Sequence, residues 1–277
     1  MTKINFLSGS SININLLKNT GQKNPQVIDT TANTKLQTPD KLFTNISDTK
    51  GAQQVAPTVD LFPDSNIDSG KPPLHPGVKV LIIGDSHTAG IYGAQIDKLA
   101  RSSGATVQTY GSCGSSPSWW FNSTSTQCGF YAHDEKGQTI RKNVGEKTPT
   151  PNLNNLINKY KPDVVIVSLG ANMIRANENS IINTSKKMAQ TIQQSGAKLF
   201  WVGPPKGRES KKSTEDLNRL YDALQKAMPD NTVFIDSRPY TYYPEKGGDG
   251  VHFSGKEGKQ IATNWAEQVF NKIQSQR

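Results

Sequence analysis

LIIGDSHTAG, residues 81–90, is the stretch whose reading decides the fold. An apolar run suited to a β-strand (Val78, Val80, Leu81, Ile82, Ile83) stops at Gly84. Asp85 and Ser86 then precede a segment with the apolar spacing of a helix. A serine at such a strand-to-helix turn lifts its hydroxyl off the sheet edge, beside the N-terminal N–H groups of the next helix. A Gly-Asp-Ser tripeptide also occurs by chance in many turns, so the rest of the chain has to supply the partners that would make Ser86 reactive.

Outward from this stretch, strand-like runs recur at 106–110, 163–169, 198–202 and 232–235. Helical patterns lie near 89–102, 152–160, 178–195, 213–228 and 255–274. Ser103-Gly104, Ser195-Gly196 and Met228-Pro229 punctuate helix ends, and Pro162 stops a helix before the run VVIVSL, residues 164–169. Runs that are apolar on both faces and alternate with helices predict a parallel sheet covered on both sides. Right-handed crossovers make this an α/β fold of three layers, a doubly wound, flavodoxin-like five-stranded parallel sheet of order 2-1-3-4-5. Sites in such sheets form beyond the carboxyl ends of the strands.

The chain has 277 residues and a net charge of +9. Residues 1–70 hold six Lys and six Asp with no Arg or Glu, so the whole positive excess lies in 71–277. That surface suits anionic polymers, envelope material or an acidic membrane surface, and equally suits plain solubility. Rich in Asn, Thr, Ser and Gln and lacking a sustained apolar period, residues 1–76 read as a mostly disordered leader ending in the Pro-rich linker KPPLHPG. The folded domain is expected over 77–277. No apolar run approaches the ~20 residues of a membrane span, and the N-terminus lacks the continuous apolar region of a Sec signal. Such a leader suits export without a Sec signal, as in a type III secretion substrate or a virion component; the cytoplasm is the alternative.

Residues 111–150 break the alternation. They are rich in Gly, Ser and aromatics (Trp119, Trp120, Phe121, Phe130, Tyr131) and contain both cysteines, Cys113 and Cys128. A stretch this long inside a compact domain reads as an ordered insertion over the site. A Cys113–Cys128 disulfide would close it; two thiols packed as small apolar groups are the alternative. No Cys or His spacing suits a metal, and no cofactor or nucleic acid is expected.

Four strand ends carry chemistry. They are Ser86; the run Gly111-Ser112-Cys113-Gly114; the run Gly170-Ala171-Asn172; and the Gly-flanked loop containing Asp249 and His252. Acyl transfer needs a hydroxyl nucleophile, a base beside it, a carboxylate to orient the base, and donors for the developing oxyanion. One turn can aim Asp249 and His252 at the same point. Gly114 lets its N–H approach closely, Asn172 offers an amide, and Ser86 offers its own N–H.

These blocks, GDS (84–86), YGSCG (110–114), G-x-N (170–172) and D-x-x-H (249–252), resemble the SGNH (GDSL-like) hydrolases, a family of serine esterases, lipases and carbohydrate deacetylases. The resemblance spans nearly all of 78–277 and implies the SGNH hydrolase fold. It implies Ser86 as nucleophile, His252 as base and Asp249 as its partner, with Ser86 N–H, Gly114 N–H and Asn172 as the oxyanion hole; Gly111 is the alternative to Gly114. His87 stands where the namesake motif has Leu, a feature of polysaccharide-acetyl-modifying relatives. The expected substrate is therefore an acylated, notably acetylated, carbohydrate such as an envelope glycan. Lipase or phospholipase action, acyl transfer, and glycan binding on a decayed scaffold are the alternatives. His87 could contact substrate or cap the helix. Trp119 and Trp120 could stack on a sugar or pack the insertion. Arg175, Lys206 and Arg208 could bind a substrate anion or form a solvated face. A monomer is assumed.

Overall fold

The computed structural model describes residues 70–276, which fall within one compact unit. The expected leader therefore lies outside the described residues, apart from the end of its linker. Leu74 of that linker is buried, and its backbone exchanges two hydrogen bonds with the Gln274 side chain (3.0 and 2.9 Å). The folded domain thus begins before the boundary expected at 77.

Five parallel strands form the centre: β1 (Lys79–Gly84), β2 (Thr106–Ser112), β7 (Val164–Ser168), β8 (Lys198–Val202) and β9 (Val233–Ile235). Their order, β2-β1-β7-β8-β9, is the doubly wound order expected from sequence. Strand alternation sends Leu81, Ile83, Val165, Val167, Leu199 and Trp201 to one face. There they meet α4 (Leu153–Tyr160), α5 (Glu178–Gln194) and α6 (Thr214–Ala227). Val80, Ile82, Val164, Ile166, Phe200 and Val202 go to the other face, against α2 (Ile91–Ser102) and α7 (Gly255–Gln274). Helix starts follow capping chemistry: Asn152, Asn177 and Ser213 each accept an N–H from the first turn of α4, α5 and α6.

The sheet has seven strands rather than five. After β2 the chain returns as the antiparallel strands β4 (Phe130–His133) and β5 (Thr139–Lys142), which pair onto the β2 edge in the order β5-β4-β2. Part of the insertion, residues 130–142, therefore extends the sheet edge instead of covering the site. The short strands β3 (Ser125–Thr126) and β6 (Thr148–Pro149) pair with each other, and α3 (Trp119–Asn122) precedes them. Burying the open edge of β2 satisfies its backbone groups, which an exposed edge would leave to solvent or to another chain. The hairpin is anchored by Asp97 of α2. This carboxylate, 2% exposed, accepts hydrogen bonds from Arg101 (2.9 and 3.1 Å), Thr109 Oγ1 (2.6 Å) and His133 Nδ1 (2.7 Å). No helix among the described residues is long and apolar enough to cross a membrane.

Candidate active site

Strand β1 ends at Gly84, and Asp85 caps the four-residue helix α1 (Ser86–Ala89) by accepting the His87 N–H at 2.9 Å. Ser86 is thereby the first helical residue, half-buried at the carboxyl edge of the sheet. Its Oγ lies 2.8 Å from His252 Nε2. His252 Nδ1 lies 2.6 Å from Asp249 Oδ2, and Asp249 Oδ1 accepts the N–H groups of Val251 (2.8 Å) and His252 (2.7 Å). With its proton on Nδ1, His252 donates to Asp249 and leaves Nε2 to accept the Ser86 hydroxyl. A carboxylate, an imidazole and a hydroxyl therefore stand in a single relay, the arrangement that makes a serine oxygen nucleophilic.

Electrostatics support the charged form of Asp249. Although partial burial works against it, the His252 ring and two backbone N–H donors hold its carboxyl well below the usual carboxylate range. The relay is open to solvent, with the His252 and Asp249 side chains 46% and 55% exposed.

Asn172 lies in the middle of a 3₁₀ turn (Ala171–Met173) after β7 and donates Nδ2 to the Ser115 carbonyl at 3.0 Å. Its contact to Asp85 Oδ2, at 3.5 Å, is long. The two candidate glycines occupy different settings. Gly111 is inside β2, paired with Gly84 and Tyr131, and a Cβ there would fall 2.3 Å from Ala89 N. It lets β2 lie against α1. Gly114 sits beyond the strand in a turn with φ +80°, where a side chain is disfavoured by backbone conformation. Its neighbours Cys113 and Ser115 spend their N–H groups on the carbonyls of Gly129 and Ser112 (both 3.1 Å). The cysteines are joined as a disulfide, with Cα atoms 5.5 Å apart.

Other sequence expectations are redistributed. Trp120 is completely buried and donates Nε1 to Ser115 Oγ at 3.3 Å, so it packs the insertion and presents no face to a sugar. Trp119 is partly exposed and lies against the Gly114 turn. His87 is buried between His252, Phe253 and Trp265, with ring centroids 5.5, 6.0 and 5.6 Å away. Burial keeps it neutral, with its pKa well below 6.5. It backs the histidine of the relay rather than reaching outward. Arg208 is not a free anion binder: its guanidinium donates to the carbonyls of Pro244 and Gly247 and lies over the Tyr243 ring. Arg175 and Lys206 are exposed.

Sequence reasoning missed the roles of Tyr243, Asp85 and Lys212, and gave Arg208 a different one. Tyr243 donates to the His252 carbonyl at 3.0 Å and contacts Asp249 Oδ1 at 3.5 Å. Arg208 braces the loop that carries Asp249, its own N–H donating to the Gly250 carbonyl at 2.8 Å. Asp85, next to Ser86 in sequence, and Lys212 are buried ionisable groups. Of these only Asp85 lies in a motif; the others reach the site through tertiary folding and leave no local signature.

No family model matches the chain. Protein BcsX of Komagataeibacter xylinus is 29% identical over 141 residues, covering 48% of this chain and 53% of that protein. The alignment thus spans about half the length of the curated relative it matches. A mutant of Axe2, an acetyl-xylooligosaccharide esterase from Geobacillus stearothermophilus, superposes with a TM-score of 0.50 at 16% identity, over 72% of this chain and 96% of the esterase. A GDSL-like lipase from Bacteroides thetaiotaomicron gives a TM-score of 0.45 at 17% identity, over 70% of this chain and 88% of the lipase. At 16% identity the likeness to the esterase is one of fold: a mostly parallel sheet with helices on both sides.

Proposed function

We propose that this protein is a serine esterase of the SGNH type that removes acyl groups, acetyl above all, from a carbohydrate. The observation that carries the reading is the Ser86–His252–Asp249 relay at the carboxyl end of the sheet, 2.8 and 2.6 Å between partners. Ser86 Oγ attacks the ester carbonyl while His252 Nε2 takes its proton. The tetrahedral oxyanion is held by the N–H groups of Ser86 and Gly114 and by the Asn172 amide, and collapses as His252 returns the proton to the departing sugar oxygen. Water, deprotonated by His252, then releases the acid from the acyl-enzyme. Asp249 keeps the imidazole in the correct tautomer and stabilises the imidazolium as it forms.

Two features favour a carbohydrate over a lipid. The relay is open enough to admit a polymer. The large apolar side chains exposed among the described residues, Ile140, Val144 and Tyr242, include none from the relay or its oxyanion-side loops. The fold shared with an acetyl-xylooligosaccharide esterase agrees with this substrate class, and so does His87 in the GDSH sequence. The positive excess of residues 71–277 fits an anionic envelope glycan.

The test is acetate release from a panel of O-acetylated glycans, peptidoglycan included, by wild type and Ser86→Ala. Release is expected from at least one glycan, with the variant reduced by at least ~10³-fold and unchanged in thermal midpoint. Release that survives the substitution would remove Ser86 from the mechanism. Equal rates on acetyl and long-chain esters would count against the glycan substrate.

A further inference from the structure

The insertion meets the candidate site at one turn, residues 113–115, and that turn is clamped. Cys113 is bonded to Cys128 across a sequence separation of 15. A Cβ built on Gly114 would lie 3.6 Å from Cys128 Sγ and 3.6 Å from the Trp119 ring. The Cys128 sulfur and the Trp119 ring thus both lie close beside Gly114. Cys128 itself is fixed by the Thr126 hydroxyl, which accepts its N–H at 3.2 Å. Thr126 is in turn buried in β3, paired with Thr148. The bridge therefore transmits the position of a small sheet to the turn.

We propose that the Cys113–Cys128 disulfide is a positioning device for the oxyanion donor at Gly114, so that opening it slows the chemical step while substrate binding is retained. This rests on the esterase reading above. Donors act only when they sit at hydrogen-bond distance from where the oxyanion forms, and a misplacement on the order of 1 Å costs roughly 10²-fold in rate. Because that contact is made in the transition state and not in the ground state, its loss falls on kcat. Without the bridge, the turn is left to the backbone hydrogen bonds of Cys113 and Ser115 and the Trp119 contact, and Gly114 between them has the wider conformational freedom of glycine.

Cys128 is exposed and Cys113 half-buried, so the bond is open to reagents. Tris(carboxyethyl)phosphine supplies two electrons: the S–S bond breaks, each sulfur takes a proton, and the phosphine becomes its oxide with oxygen from water. The full chain is assayed on p-nitrophenyl acetate in three forms: oxidised, reduced and desalted without oxygen, and Cys113→Ser/Cys128→Ser. ¹⁵N relaxation of the Gly114 amide is recorded in each form. Reduction is expected to lower kcat by about 10- to 100-fold with KM held within roughly threefold. The double variant should match the reduced enzyme without reductant, and Gly114 should lose order while the rest of the spectrum stays dispersed.

Unchanged kcat with two thiols titrated, or a Gly114 amide equally rigid in both states, would overturn the proposal. Collapse of the whole spectrum on reduction would overturn it too, because the bond would then hold the fold and not the turn. If no form cleaves the ester, the esterase reading fails separately, and Gly114 relaxation alone decides whether the disulfide fixes the turn.

Discussion

Asp85 shows how one residue serves fold and chemistry together. Burial pushes its carboxyl up to about 6, against the opposing pull of the His87 N–H, the Lys212 ammonium and His252. Lys212, itself 4% exposed, is pushed down to about 8 by the same loss of water, although Asp85 and Asp249 favour its charge. Since the folded value of Asp85 lies above its unfolded value of 3.8, the native state holds the extra proton between these limits. Its stabilising contribution is complete below 3.8 and lost as pH rises through 6. Asp85→Asn does not titrate. Between pH 4 and 7 the wild type should therefore lose up to ~3 kcal/mol relative to the variant, with no further change above that window. Denaturant unfolding across pH measures this; a difference independent of pH would show that Asp85 is not a desolvated acid. Asp249 has the opposite sign. Its depressed value gives stability present above 3.8 and lost in acid, reduced by solvent screening at this exposed position.

Among the elements, the loop carrying Asp249 and His252 depends most on groups distant in sequence. Arg208 accepts no charge partner there; it ties the Pro244 and Gly247 carbonyls together while its backbone N–H holds Gly250. Arg208→Ala should lower kcat by about 10- to 100-fold, because the base drifts from Ser86. Arg208→Lys should restore little, since one ammonium cannot reproduce the planar fork. Steady-state kinetics beside far-UV circular dichroism check both, and a fully active Arg208→Ala would show that the loop is rigid without its brace. At the opposite sheet edge, Asp97→Ala should cost roughly 3–5 kcal/mol, as it strips a buried carboxylate from Arg101 and His133. Denaturant midpoints report this loss, and an unchanged midpoint would contradict the anchoring role of Asp97.

Across the whole molecule, the central sheet was readable because its strands recur as short apolar-rich runs between helices, three of them (β1, β7 and β8) apolar on both faces. Val164–Ser168 is buried at all five positions and cannot be mistaken for a surface strand. The four chemical blocks were readable because each follows such a strand, where the topology converges. The added hairpin was not, for β5 is exposed at every position and carries Thr, Arg and Lys with a single Ile. Neither period nor composition marks it, and the pairing partner that makes it a strand is supplied by β4. Trp120 was ambiguous for a related reason: an aromatic in an irregular segment reads alike whether it faces a ligand or the core, and only its complete burial decides. Likewise, Tyr243 comes from one loop and Arg208 and Lys212 together from another, between β8 and α6, so spacing along the chain does not show what they contact. The candidate blocks were legible because they fall at or beyond the carboxyl ends of the strands; the scaffolding around them emerges only when loops meet.

The central claim is that Ser86 is a nucleophile activated by His252. Intact-mass and peptide mapping after treatment with a fluorophosphonate address it directly, because the serine oxygen must displace fluoride at phosphorus. A single adduct is expected, located on Ser86, absent from Ser86→Ala, and formed at least ~10³-fold more slowly in His252→Ala. Folded wild-type protein that gives no adduct at Ser86, or a His252→Ala variant that labels at the wild-type rate, would contradict it.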